Sequence, residues 1–145
     1  GRRVALSLSD AFCVNRHRAA FLDLVANHVD ILFANETEIT ALYERNTFEE
    51  AAEAARKDVA LAALTRSEAG SLIIHGAETV TVAAQPTKVV DTTGAGDAYA
   101  AGFLAGLTAG KPLALCGRMG SIAASEIISH YGARPETDLR KLMPA

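Results

Sequence analysis

The residues with the clearest chemistry lie in one run, Asp91-Thr92-Thr93-Gly94-Ala95-Gly96-Asp97-Ala98-Tyr99-Ala100-Ala101-Gly102. A short apolar stretch feeds it and an Ala/Gly-rich helical stretch leaves it. The first amides of a helix have no intrahelical acceptor, and the helix dipole favours negative charge beside them. Gly94, Ala95 and Gly96 carry almost no side chain, so those amides can close on an anion, and the expected ligand is a phosphate. Asp97 falls in the first turn, where its carboxylate can accept a hydrogen bond from a hydroxyl held beside that anion. The dinucleotide fingerprint is excluded because Tyr99 stands where its third glycine must be. The Walker loop is excluded because Gly106-Leu107-Thr108-Ala109-Gly110-Lys111-Pro112 is one residue short and ends in proline.

Two further segments carry polar residues at the ends of apolar runs. Asn35-Glu36-Thr37-Glu38 follows Asp30-Ile31-Leu32-Phe33-Ala34. On residue types alone, Asn35 caps the helix that follows and Glu38 is an acid in its first turn. The match of Asn35-Glu36-Thr37 to the glycosylation triplet is expected to be accidental. Leu64-Thr65-Arg66-Ser67-Glu68-Ala69-Gly70 ends a second apolar run and reads, on its own, as a turn. Together these segments resemble the PfkB/ribokinase family of ATP-dependent sugar and nucleoside kinases. Asp91 through Gly106 matches that family's second signature, close to D-T-x-G-A-G-D before an Ala/Gly/Phe-rich helix. Asn35-Glu36-Thr37-Glu38 matches its N-x-x-E, and the 64–70 segment its T-x-G-x-x-G nucleotide loop, with Ser67 where Gly is common.

The resemblance implies a ribokinase-like layered α/β fold with a mostly parallel sheet and flanking helices. It implies that residues 1–145 are the C-terminal part of a single kinase domain, the nucleotide- and phosphate-binding half. Asp97 is then the catalytic base, orienting the acceptor hydroxyl and taking its proton late. Gly94, Ala95 and Gly96 are the anion hole for the transferring phosphoryl group. Asn35 contacts the ATP phosphates, and Glu38 organises Mg²⁺ through water. Thr65, Ser67 and Gly70 line the nucleotide site. Ser121, Ala124 and Ile127 are candidates to pack against adenine, with core packing as the alternative. Asp91, Thr93 and Gly132 fit the places where some members hold a monovalent cation such as K⁺. The implied reaction moves the γ-phosphoryl group of ATP to a hydroxymethyl group of a sugar or nucleoside. Leu6 through Arg18 looks like adenosine-kinase-like bacterial members, which tilts the acceptor toward a nucleoside or furanose. Family members choose that acceptor mainly with their N-terminal half, so this chain is expected to be inactive alone. The alternative is a non-catalytic nucleotide-binding α/β module.

The elements that must position these residues follow from periodicity. Apolar runs predict strands at 4–8, 30–34 and 59–64, buried on both faces in the last two. Ser71–His75 and Thr79–Val82 flank a Gly-Ala-Glu turn and predict a hairpin. Lys88-Val89-Val90 predicts a brief strand before the glycine loop. Helices are predicted over 15–28, with Ala20, Phe21, Leu24 and Val25 as the apolar stripe, and over 36–44, 48–57, 96–108 and 112–130. A capping box is expected at Thr47-Phe48-Glu49-Glu50, and a short helix near 137–143. Gly102-x-x-x-Gly106 predicts close helix packing.

Composition narrows the partners. The chain has 145 residues, half of them apolar, and a net charge of −3 from 14 basic and 17 acidic side chains. That balance argues against a nucleic-acid binder, which shows a basic patch. No apolar run is long enough to span a bilayer. Cys13 and Cys116 are far apart and outside any C-x-x-C, so they are expected to be reduced, partly buried thiols of a cytoplasmic protein. The four histidines have no metal-ligand spacing. The partners expected are ATP and a small sugar or nucleoside, with neither nucleic acid nor membrane. An exposed sheet edge would invite a homo-oligomer.

Overall fold

The computed structural model describes all of residues 1–145. They form two compact units, Gly1–Arg66 with Leu72–Val80, and Ser67–Ser71 with Thr81–Ala145.

The first unit is built on β1 (Ala5–Ser7), β2 (Ile31–Asn35) and β3 (Leu61–Thr65). These pair in parallel, with Ala5 opposite Ile31 and Ile31 opposite Leu61. β4 (Ser71–His75) and β5 (Glu78–Val82) complete the sheet order β1-β2-β3-β4-β5. The links 66–70 and 76–77 are far too short for a parallel crossover, so both turn the chain back antiparallel. β2 and β3 are apolar at nearly every position and buried along almost their whole length, as strands covered on both faces must be.

The helix predicted over 15–28 is two helices, α1 (Ala11–Arg16) and α2 (Arg18–Asn27). Asp10 accepts from the Phe12 amide at 3.0 Å and starts α1 early. His17, at φ −125° and ψ 30°, then breaks the run. The break changes the phase of α2. Phe21, Leu22 and Val25 pack on the core, while Leu24 is exposed. α3 (Glu36–Tyr43) and α4 (Phe48–Asp58) follow as expected. Arg56 of α4 anchors the hairpin, donating to the Gly76 and Glu78 carbonyls and to Thr79 Oγ1.

The second unit holds α5 (Ala95–Thr108) and α6 (Leu113–Ile128). Glycines let the two backbones close on each other. A Cβ on Gly102 would lie 2.5 Å from the Met119 carbonyl oxygen, and one on Gly120 2.8 Å from that of Tyr99. A Cβ on Gly106 would press on Met119 Sδ and Cys116 Sγ. Tyr99 is buried, stacked on Phe103 at 6.2 Å, and donates to Ser71 Oγ at 2.8 Å. Burial pushes its phenol up to about 12. Lys88–Val90 is no strand. The Val90 amide donates to the Ile128 carbonyl at 2.7 Å, so this segment is tied to a helix end instead of a sheet. The predicted last helix is one 3-10 turn, Leu139–Lys141, started by Asp138 accepting from the Arg140 amide. The cysteines differ: Cys13 is exposed, and Cys116 is buried. No helix is long and apolar enough to cross a membrane.

Candidate active site

α5 begins without a side-chain cap. Its Ncap is Gly94 at φ +80°, a conformation that suits glycine, and a Cβ there would sit 2.7 Å from Ala133 Cβ. The sequence assigns the anion hole to Gly94, Ala95 and Gly96, and these three residues lie together at the start of α5. The Ala95 amide donates to the Thr92 carbonyl at 3.2 Å. The amides of Gly94, Gly96 and Asp97 have no acceptor, so these three are the donors left for an anion. No heavy atom lies within 4 Å of where a Gly96 Cβ would be, so the approach is open. Asp97 is exposed, and its carboxylate makes no hydrogen bond or ion pair within the chain. An acid and three unsatisfied amides thus share one helix start, where the dipole favours added negative charge.

The loop before α5 is held from the far end of α6. Asp91 Oδ1 accepts from the Thr93 amide at 3.0 Å and the Thr93 hydroxyl at 2.7 Å, and Oδ2 accepts from the Gly132 amide at 3.1 Å. The three residues assigned to a monovalent cation are therefore neighbours. Those donors, Thr93 foremost, hold the Asp91 carboxyl below its ordinary value.

In the first unit, α3 begins with a reciprocal capping box. Asn35 Oδ1 accepts from the Glu38 amide at 2.8 Å, and Glu38 Oε2 accepts from the Asn35 amide at 2.9 Å. The box predicted at Thr47 is only half formed, with Thr47 Oγ1 accepting from the Glu50 amide. Glu38 is 7% exposed. Burial raises its carboxyl, the Asn35 bond opposes that, and the charge of Asp10 adds to the rise. Its Oε1 has no protein partner yet remains reachable by water. A buried, half-satisfied carboxylate fits a hydrated divalent cation. Arg66, which sequence reasoning missed, pairs with Glu36 and Glu49 and lies 4.2 Å over the Phe48 ring, tying the starts of α3 and α4 to the end of β3. Thr65 closes β3, partly buried.

In the second unit, Ser67 has φ +49°, the left-handed region that favours the glycine common at this place. Its carbonyl accepts from the Gly70 amide at 3.1 Å. Gly70 has φ +90°, and any Cβ there would collide with the Val82 carbonyl. Ser121 and Ala124 are half-buried on α6, whereas Ile127 is 1% exposed and belongs to the packed interior.

A model of the pfkB family carbohydrate kinases matches residues 4–139. The chain belongs to this family. Among solved structures it is similar to a probable sugar kinase from Rhizobium etli, at TM-score 0.96 and 46% identity, over 98% of this chain and 44% of that one. It is similar also to the adenosine kinase from Sinorhizobium meliloti, at TM-score 0.95 and 49% identity, over the same shares. A cytidine kinase from Thermococcus kodakarensis is 32% identical over 136 residues, 91% of this chain and 49% of that relative. The chain spans about half the length of the curated relatives it matches. Its mixed α/β fold is the fold of ribokinase-like proteins.

Proposed function

We propose that the protein carrying this chain transfers the γ-phosphoryl group of ATP to a hydroxymethyl group of a sugar or nucleoside, and that residues 1–145 are the nucleotide- and phosphate-binding part of its kinase domain. The observation that carries this reading is the start of α5, where an unpartnered Asp97 stands among the free amides of Gly94, Gly96 and Asp97. Phosphoryl transfer asks for positioning and charge stabilisation more than covalent help. The amides hold the negative oxygens of the group in transit, and Asp97 orients the acceptor hydroxyl and takes its proton as the new bond forms.

Glu38 Oε1, with Asn35 beside it, would hold Mg²⁺ through water, and the ion would neutralise phosphate charge there. Asp91, alongside Thr93 and Gly132, would supply the negative charge for a monovalent cation such as K⁺. Thr65, Ser67 and Gly70 line the nucleotide, and Ser121 and Ala124 border adenine. Names among the relatives favour a nucleoside acceptor, since one is an adenosine kinase and another a cytidine kinase. The proposed use of ATP and the two unpaired thiols of this chain support a cytoplasmic location.

The test is Asp97→Asn in the protein that carries this chain. Turnover should fall by about 10²- to 10⁴-fold, the usual span of a general base, while ATP affinity stays near that of the unmodified protein. Near-normal turnover would overturn the assignment. The 145-residue chain alone should bind ATP–Mg²⁺ weakly and phosphorylate neither sugars nor nucleosides. Measurable transfer would show that the acceptor site lies within it.

A further inference from the structure

Glu126 is an acid in the last turn of α6, 8% exposed, in a place that disfavours it twice. Burial penalises its charge, and the helix C-terminus carries the negative end of the dipole. A carboxylate kept there needs compensation, and the structure supplies it from one segment. Oε1 accepts from the Glu136 and Thr137 amides, both at 2.9 Å, and Oε2 accepts from His130 Nε2 at 3.2 Å. His130 Nδ1 lies 3.1 Å from the Tyr131 carbonyl oxygen. Both ring nitrogens thus face acceptors, an arrangement that suits the doubly protonated ring. These bonds close residues 130–137 into a loop around one carboxylate.

That loop touches the start of α5 at two points. The Gly132 amide donates to Asp91 Oδ2, and Ala133 packs on Gly94 closely enough to exclude any Cβ there. Asp91 in turn sets Thr93, and the Val90 amide is bound to the Ile128 carbonyl. We propose that Glu126 is a positioning residue for the anion site: by organising residues 130–137 it fixes the Asp91 loop and Gly94, and so the placement of the free amides at the start of α5. This rests on the reading of that helix start as the phosphate site. Glu126 touches no reacting group and acts through Gly132 and Ala133.

The experiment compares Glu126→Ala and Glu126→Gln in the protein that carries this chain, by amide hydrogen exchange and by binding of inorganic tripolyphosphate. Glutamine keeps an oxygen for the two amides, so it should rescue. In Glu126→Ala, exchange at Gly132 and Thr93 should speed up by about tenfold or more, the scale expected when hydrogen bonds to a charged group are lost. Neither of those amides bonds Glu126 itself. Amides of α3 and α4 should keep their rates, and tripolyphosphate affinity should fall in the same order as exchange rises. Unchanged exchange at Gly132 and Thr93 would overturn the proposal, as would an equal acceleration throughout the chain or a glutamine variant as impaired as the alanine one. Should Glu126→Ala fail to fold, Glu126→Asp, which withdraws the carboxylate by one methylene, serves the same comparison. If exchange responds as expected but no form binds tripolyphosphate, Glu126 keeps its role and the phosphate-site reading fails.

Discussion

α3 begins directly after β2 and α5 after a turn at Thr93 and Gly94, and both face the same deficit of acceptors at their first amides. At α3 part of the deficit is met from within: Asn35 caps the Glu38 amide, and Glu38 reaches back to the Asn35 amide. What remains outward is a carboxylate oxygen, an offer to cations. At α5 nothing is met by a side chain. The Ncap is a glycine, Ala95 alone turns its amide inward, and what remains outward is a set of donors, an offer to anions. A helix start with a side-chain cap leans less on the rest of the fold than one without. Gly94 has no cap to lend α5, so its geometry depends on Ala133 and the Asp91 bonds.

The contrast can be broken by experiment. Glu38→Gln keeps the bond to the Asn35 amide but removes the second acceptor, so it should weaken the Mg²⁺ enhancement of ATP binding by about 10- to 100-fold, the scale for residues that orient metal-bound groups. Titration with and without EDTA checks this, and an unaltered Mg²⁺ effect would remove α3 from the cation side of the comparison. Gly94→Ala should cost about 1–3 kcal/mol in unfolding stability, since the new Cβ meets both a left-handed backbone and Ala133. It should also weaken ATP binding, whereas intact affinity would mean that the amides do not hold phosphate. Asn35→Ala should cost about 1 kcal/mol, the usual value of a cap, measured by urea unfolding. A larger loss of nucleotide affinity than of stability would give Asn35 a binding role beyond capping.

The smallest effect concerns pH. The Tyr131 carbonyl and Glu126 raise the His130 pKa above 6.5. Burial alone would raise the Glu126 carboxyl; the Thr137 amide, His130 and the Glu136 amide outweigh it and hold it below 4.5. A raised histidine stabilises the fold below its unfolded value and loses that contribution as pH rises through its folded one. The Tm gap between the parent chain and His130→Asn should therefore narrow as pH rises above 6.5. A constant gap would show that the ring is not charged in the fold.

Much of this was legible in residue order. The run around Asp97, the N-x-x-E box and the hairpin are local patterns, and Gly102 and Gly106 announce a close seam by their spacing. What escaped was non-local. Lys88–Val90 has strand composition, but its hydrogen bond goes to a residue 38 positions later. The break at His17 was hidden because Asp10 lies just outside the apolar stripe and reads as the end of a strand, not the start of a helix. Glu126 sits in Ala-Ala-Ser-Glu-Ile-Ile, where an acid looks like a solvated interruption. Its donors lie ten and eleven residues further on, past a turn. Which of three small residues would turn its amide inward at the start of α5 depended on one backbone dihedral.

The glycine seam between α5 and α6 has a consequence for motion. Helices that meet through leucines can shift as rotamers exchange, because the contact surface itself has several states. Gly102 meets main-chain atoms of Met119 and Gly120, and Gly120 meets the carbonyl and the buried ring of Tyr99, so few of the atoms at this crossing have rotamers to exchange. A tilt of α5 against α6 therefore has to open this close contact, which ties the axis of its dipole to α6. The dipole at Asp97 is thereby oriented by packing alone, and an anion bound at this helix start would meet donors that need little reorganisation.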